Sequence, residues 1–418
     1  MKYLFLLFIS ISGYSKKNFC SYNGQNYRDK IAQLFIVTYK RGHEFRKYMK
    51  REKFGGIIGF SHDLTKFNNI HDLKSELAGL QKDAKLPLFM TIDQEGGLVQ
   101  RLKKYKAMTY VPTAKFIGKF LDLHTLENAK SHAFRIGEIM GSELRYVGFN
   151  WNFGPVLDID HNESQNPISK YQRAYSSIPY RVSEYGSNII QGMEKYVFAT
   201  AKHFPGQGLT KIDNHHRSCL NSGNCPNFNM QDLQPFEKSI KSNVSTVMIG
   251  HMIYPNLDKK LSTFSDKIIT KLLRNKMNFK GLVVSDDFTM GVLGVASGIK
   301  SKVFRMGTVP SVIGLAASNA IKAGINVLVL SEFGRGRREV FVRNYICNAI
   351  TYDSLLRSKV DESYSLIKEY KSKILKPSPL SLNKKLNAGY FKSMLKSLEK
   401  KFSKAQILKL DKKIYRYY

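Results

Sequence analysis

A chain of 418 residues, 43% hydrophobic and 12% aromatic, has enough apolar content for a sizeable core, which excludes an intrinsically disordered protein. A formal charge of +33 raises attraction to any polyanion. The lysines are spread along the whole chain without a nucleic-acid-binding motif, so a basic solvated surface is expected and a nucleic-acid partner is not.

The first 20 residues open with Lys2, continue with the apolar run from Tyr3 to Ile11, and turn small and polar up to Ser15. This pattern reads as a secretory signal peptide, too short to span a membrane, and predicts export. A short N-terminal element packed on the body of a cytoplasmic protein is the competing reading. The four cysteines, Cys20, Cys219, Cys225 and Cys347, do not have zinc-site spacing. Cys219 and Cys225 enclose five residues, a loop that a disulfide would close in an exported protein and that would stay reduced in the cytosol.

Eight short apolar runs follow: 31–37, 55–60, 87–93, 147–158, 199–204, 246–252, 281–286 and 326–331. Between and after them lie segments of helical periodicity, among them 72–82, 127–146, 181–196, 232–241, 266–277, 337–350 and 361–373. Near-continuous apolar strands alternating with helices suit a parallel sheet covered on both faces. The expected class is α/β, a (β/α)8 TIM-like barrel forming a single catalytic domain over residues 24–375. A doubly wound open sheet is weakened by the lack of a Gly-rich phosphate loop after the first run. Pro377 and Pro379 punctuate the chain before a Lys-rich extension, 376–418, whose acids are Glu399 and Asp411. Leu395, Leu398 and Phe402 fall on one face of a potential amphipathic helix there. A helix docked on the barrel, a disordered basic tail and a helix weakly bound to an anionic surface all stay open.

Barrel enzymes keep their chemistry at the C-terminal ends of the strands. Here those ends carry Asp93 and Glu95, Lys202 and His203, His251, and Ser285-Asp286-Asp287. One such end could be a helix cap or a turn; four on one rim point to a site.

Five words in order, Ile92-Asp-Gln-Glu-Gly-Gly-Leu-Val-Gln-Arg-Leu102, Asn152-Phe-Gly-Pro-Val-Leu-Asp158, Lys202-His-Phe-Pro-Gly206, Asp213-Asn-His215 and Val284-Ser-Asp-Asp-Phe-Thr-Met290, resemble glycoside hydrolase family 3 in its β-N-acetylglucosaminidase branch. The resemblance covers roughly residues 28–372. It implies Asp286 as the nucleophile of a retaining mechanism, with Asp287 beside it structural. It implies His215, oriented by Asp213, as acid/base on a loop after the fifth strand. An imidazole suits a group that must first give and later take a proton near neutral pH. Asp93, Arg101, Arg173, Lys202 and His203 are implied as ligands of the bound sugar. The substrate class implied is GlcNAc-containing muropeptides from peptidoglycan, cleaved by a monomer without metal or organic cofactor. A phosphorylase of the same family and a non-catalytic wall-binding barrel are the alternatives. Three departures stand out: Gly206-Gln-Gly-Leu209 replaces the usual Gly-His-Gly-Asp, Leu98 replaces a common Arg, and Tyr171-Gln172 replaces Gly-Asp before Arg173.

Overall fold

A computed structural model describes residues 20–210, 225–288, 310–331, 338–374 and 382–418. Eight strands form its centre: β1 (Phe35–Thr38), β2 (Gly56–Gly59), β3 (Phe89–Ile92), β4 (Trp151–Asn152), β5 (Thr200–Phe204), β6 (Thr246–Ile249), β7 (Leu282–Asp287) and β8 (Val327–Leu330). All pair in parallel, in the order β4-β3-β2-β1-β8-β7-β6-β5. Parallel bridges Trp151↔Phe198 and Val156↔Lys202 join the two ends, so the sheet closes into the expected barrel. The bridges cover the edges that β4 and β5 would otherwise expose.

Side chains fill the barrel interior. Trp151 is fully buried, lies edge-on to Phe89 at 4.9 Å between ring centres, and donates its indole N–H to Thr200 Oγ1 at 2.8 Å and Thr246 Oγ1 at 3.0 Å. A buried indole N–H must find an acceptor, and these two threonines supply it.

The helices lie close to the periodic segments, among them Ile70–Lys82, Leu126–Val147, Pro179–Glu194, Gln234–Lys241, Arg338–Ala349 and Ser354–Ser372. Two of the apolar runs expected as strand are partly helical. Residues 31–33 finish the helix Arg28–Gln33, and the strand starts only at Phe35. Val147 is the last helical residue before Gly148, whose φ of +113° provides the left-handed C-cap; the strand is reduced to Trp151–Asn152. In both places a continuous apolar run hides a helix end, because a helix end facing the core is as apolar as a strand.

Among the described residues no helix is long and apolar enough to cross a membrane. The signal-like residues 1–19 lie outside the described residues. Cys20 is disulfide-bonded to Cys347 across 327 positions, a pairing that sequence spacing did not suggest. Cys225 is also disulfide-bonded, while Cys219 lies outside the described residues. Closing so long a loop restricts the unfolded chain, so Cys347→Ser is expected to lower stability by about 2–4 kcal/mol. Thermal unfolding of that variant, beside the wild type with and without reductant, checks this. Equal melting temperatures for all samples would show that the bond contributes nothing.

Residues 382–418 form helices docked on the barrel. In Lys384–Glu399, Phe391, Met394, Leu395 and Leu398 are buried; Ile407 and Ile414 continue that face. Asn383 caps the first helix, and Ser403 with Gln406 forms a capping box at Lys404–Leu410. Two buried polar anchors set the docking. Asp411 accepts from Tyr110 OH at 2.9 Å and from Thr113 N at 3.1 Å. Asn387 donates to Glu143, which also holds Thr109.

Candidate active site

The mouth of the barrel is built from the C-terminal strand ends. Asp93 follows β3 directly. The chain then folds into a small antiparallel hairpin, Gln94–Gly96 against Val99–Gln100. Gly96 and Gly97 turn it with φ of +112° and +55°. A Cβ on Gly96 would lie 2.4 Å from the Pro112 carbonyl oxygen, so the paired glycines in this word are a steric requirement. Gln94 Oε1 accepts from Arg101 N at 2.9 Å, which brings Arg101 back over Asp93.

Five charged groups meet there. Arg101 donates to Asp93 Oδ2 at 2.9 Å, and Lys202 reaches Asp93 Oδ1 at 3.1 Å. Lys202 also contacts Glu95 at 2.6 Å, and Arg173 grips Glu95 with Nε and Nη2, both at 2.8 Å. Lys202 is 2% exposed, so its charge survives only through these carboxylates. Burial alone would pull the Lys202 ammonium down, but Glu95 and Asp93 outweigh it and raise it. Burial would likewise push Asp93 up, yet Lys202 and Arg101 hold it below the usual carboxylate range. Against the same burial, Arg173 and Lys202 hold Glu95 well below that range. The result is a fixed, fully ionised network whose donors and acceptors need no reorganisation when a polar ligand arrives. Arg101 Nε is buried without a hydrogen-bond partner among the described residues.

His203, next to Lys202 at the end of β5, is fixed by Asp158. Its Nδ1 lies 2.7 Å from Asp158 Oδ2, and its backbone N–H donates to Oδ1 at 3.2 Å. A carboxylate only accepts, so Nδ1 carries the hydrogen. Asp158 Oδ1 also accepts from Gln207 N at 2.7 Å, tying the start of the following loop to the same carboxylate. Asn166 Nδ2 donates to the carbonyls of Gln207 and Thr210. Gly208 fits only as glycine, because a Cβ would stand 2.0 Å from the Ile159 carbonyl oxygen. Gln207 itself is buried, so this departure from the common pattern sits in an ordered turn.

Asp286 lies at the end of β7 and is partly exposed; its Oδ1 accepts from Asp287 N at 2.7 Å. Asp287 turns to its neighbours: Oδ1 accepts from Ser331 N at 3.3 Å, and its carbonyl lies 3.1 Å from His251 Nε2. His251 is buried and also contacts Thr263 Oγ1 at 2.5 Å. Asp213 and His215 lie outside the described residues. The structure thus brings Asp93, Arg101, Arg173 and Lys202 into one network, with His203 beside Lys202 and Asp286 on the same rim. Glu95 and Asp158 hold three of these side chains; the sequence places Glu95 at a strand end and Asp158 at the end of a matching word, but assigns a role to neither. Their signal was their place inside the same sequence words. Among the described residues no group of His, Cys, Asp and Glu could hold a metal ion.

A parallel barrel with a cluster of ionised groups and a further carboxylate on its C-terminal rim is an architecture that glycoside hydrolases use. The model of the glycosyl hydrolase family 3 N terminal domain matches residues 26–367, and the chain belongs to that family. Beta-hexosaminidase of Methylobacillus flagellatus is 31% identical over 64% of this chain and 75% of its own length. Beta-hexosaminidase of Idiomarina loihiensis is 27% identical over 74% and 87%. The solved structure of a family 3 β-N-acetylglucosaminidase from Paenibacillus sp. superposes with a TM-score of 0.70 at 24% identity, over 88% of this chain and 69% of that one.

Proposed function

We propose that this glycoside hydrolase is a retaining exo-β-N-acetylhexosaminidase that releases terminal GlcNAc from peptidoglycan-derived fragments. The observation that carries the reading is the buried Asp93–Arg101–Lys202–Glu95–Arg173 network on the rim that also bears Asp286. The names of the relatives support the N-acetylhexosamine specificity.

Asp93, Arg101 and Lys202 bind and orient the terminal sugar. A carboxylate oxygen of Asp286 attacks the anomeric carbon while the bond to the leaving oxygen breaks and His215 gives that oxygen a proton. Water then attacks the glycosyl–Asp286 ester, His215 takes the water's proton, and the sugar leaves with its original configuration. Asp213 orients the imidazole, as a carboxylate does in a triad. The roles of Asp286, His215 and Asp213 rest on the sequence words.

An exported site of action is part of the reading. The basic and apolar start of the chain supports it, as does the engagement of Cys20, Cys347 and Cys225 in disulfides, which persist in oxidising compartments.

The test is hydrolysis of 4-nitrophenyl N-acetyl-β-glucosaminide beside the β-glucoside, with and without phosphate. Release from the N-acetyl sugar alone, independent of phosphate, is expected. A rate that needs phosphate would instead make the protein a phosphorylase. Binding without release from either substrate would make it a non-catalytic barrel.

A further inference from the structure

Glu95 and Arg101 ride on the hairpin after β3 and its exit, and that hairpin leans on residues 110–113. The Gln100 side-chain amide pairs with both backbone groups of Val111, accepting from its N–H at 3.0 Å and donating to its carbonyl at 2.7 Å. Gly97 N–H donates to the same carbonyl at 2.8 Å. A Cβ on Gly97 would stand 2.5 Å from Thr113 Cγ2, so hairpin and segment are in close contact.

The end of the chain holds the same segment. Asp411 is 1% exposed and accepts from Tyr110 OH at 2.9 Å and from Thr113 N at 3.1 Å. Thr113 Oγ1 donates to the Leu410 carbonyl at 2.6 Å, and the Tyr418 hydroxyl donates to the Tyr110 carbonyl. The Tyr110 and Tyr417 rings stack at 4.1 Å.

Arg173 is reached through Gln172, one of the departures from the common pattern. Gln172 has a positive φ of 58°, which a residue with a Cβ keeps only when its surroundings fix it. Its side-chain amide donates to the Lys409 carbonyl, and its own carbonyl accepts from Lys115 N at 3.2 Å. Arg173 and Glu95 grip each other, so both members of that pair are tied to the last ten residues of the chain, which lie beyond the family-matched residues 26–367.

We infer that residues 409–418 position the binding groups of the active site. Asp411, acting through Tyr110 and Thr113, sets the hairpin that carries Glu95 and Arg101. The Lys409 carbonyl, acting through Gln172, sets Arg173. Neither Asp411 nor Gln172 belongs to the ionised network; both are positioning residues. Small displacements of fixed donors and acceptors weaken every bond they make to a ligand. The effect on turnover rests on the hydrolase reading above, whereas the link itself rests on the hydrogen bonds.

The test compares Asp411→Ala, Asp411→Asn and Gln172→Ala with Leu398→Ala, which removes a fully buried side chain of the helix Lys384–Glu399 and none of these bonds. KM for 4-nitrophenyl N-acetyl-β-glucosaminide should rise about five- to tenfold in Asp411→Ala and about threefold in Gln172→Ala, with kcat falling less. Asp411→Asn keeps one acceptor oxygen and should fall between wild type and Asp411→Ala. Leu398→Ala should melt lower yet keep the wild-type KM. Amide hydrogen exchange over residues 94–101 reads the same link without turnover, and should be faster in Asp411→Ala and unchanged in Leu398→Ala. Wild-type KM and exchange in folded Asp411→Ala and Gln172→Ala overturn the inference. So does a KM raised equally by Leu398→Ala, because any loosening of the extension would then suffice. If Asp411→Ala does not fold, Gln172→Ala decides, since it removes an exposed hydrogen bond. A wild type that releases no nitrophenol overturns the hydrolase reading, and exchange alone then decides whether Asp411 holds the hairpin.

Discussion

Replacing Asp286 by alanine should reduce turnover of a chromogenic N-acetylglucosaminide at least about a thousandfold and leave the barrel folded. A carboxylate nucleophile cannot be replaced by a methyl group, and losses of this order follow removal of a covalent catalyst. The folding cost should be small, under about 1 kcal/mol, because the side chain is partly exposed and its Oδ1 accepts a hydrogen bond from the adjacent residue of its own strand. Asp287 provides the contrast. Its Oδ1 links β7 to Ser331, and its carbonyl lies by the buried His251. Asp287→Ala should therefore cost stability, and activity to a smaller degree than Asp286→Ala. Melting temperature and kcat measured on both variants decide the matter. A folded Asp286→Ala protein with wild-type turnover would falsify the nucleophile assignment.

Glu95→Gln should have the largest effect on stability. The substitution keeps the shape but removes the charge that Arg173 grips with two hydrogen bonds and that Lys202 meets at 2.6 Å. Arg173 would then lose the carboxylate it grips, Lys202 would keep only Asp93, which Arg101 already shares, and breaking such a buried pair costs about 3–5 kcal/mol. For a domain of this size the melting temperature should fall by roughly 4–7 °C. Activity should fall as well, since Arg173 and Lys202 lose the group that orients them.

The pH dependence has a definite sign. Glu95 and Asp93 are held below their ordinary values of 4.5 and 3.8. Their stabilisation is present above the unfolded carboxylate range and is lost as pH falls below it, through the depressed folded values. Wild-type stability should therefore drop steeply in acid, and Glu95→Gln should show a shallower acid limb. A variant that melts with the wild type at neutral pH and shares its acid profile would show that the network is not held by Glu95.

The extension illustrates how far sequence reading reaches. Leu395 and Leu398 on one helical face announced an amphipathic element, since a 3.6-residue period is a local property. What that face would meet was open among barrel, solvent and membrane. Docking is decided by Asp411 reaching Tyr110 and Thr113, and by Asn387 reaching Glu143, partners some 240 to 300 positions away. The departure at Gln172 was likewise visible only as a deviation; its partner, the Lys409 carbonyl, becomes visible once the two segments are side by side.

By itself the sequence determined the alternation of apolar strands with helices, hence the closed parallel barrel, and it placed Asp93, Lys202, His203 and Asp286 at strand ends, because strand direction and side-chain alternation are properties of neighbouring residues. Tertiary structure decided the rest. It gave Lys202 two carboxylates, gave Arg173 to Glu95 and His203 to Asp158, joined Cys20 to Cys347, and brought Gln172 to the Lys409 carbonyl. The physical reason is common to all of them. A buried charge or thiol takes whichever partner the packed elements bring within reach, and that depends on barrel closure and helix docking, which no window of sequence contains.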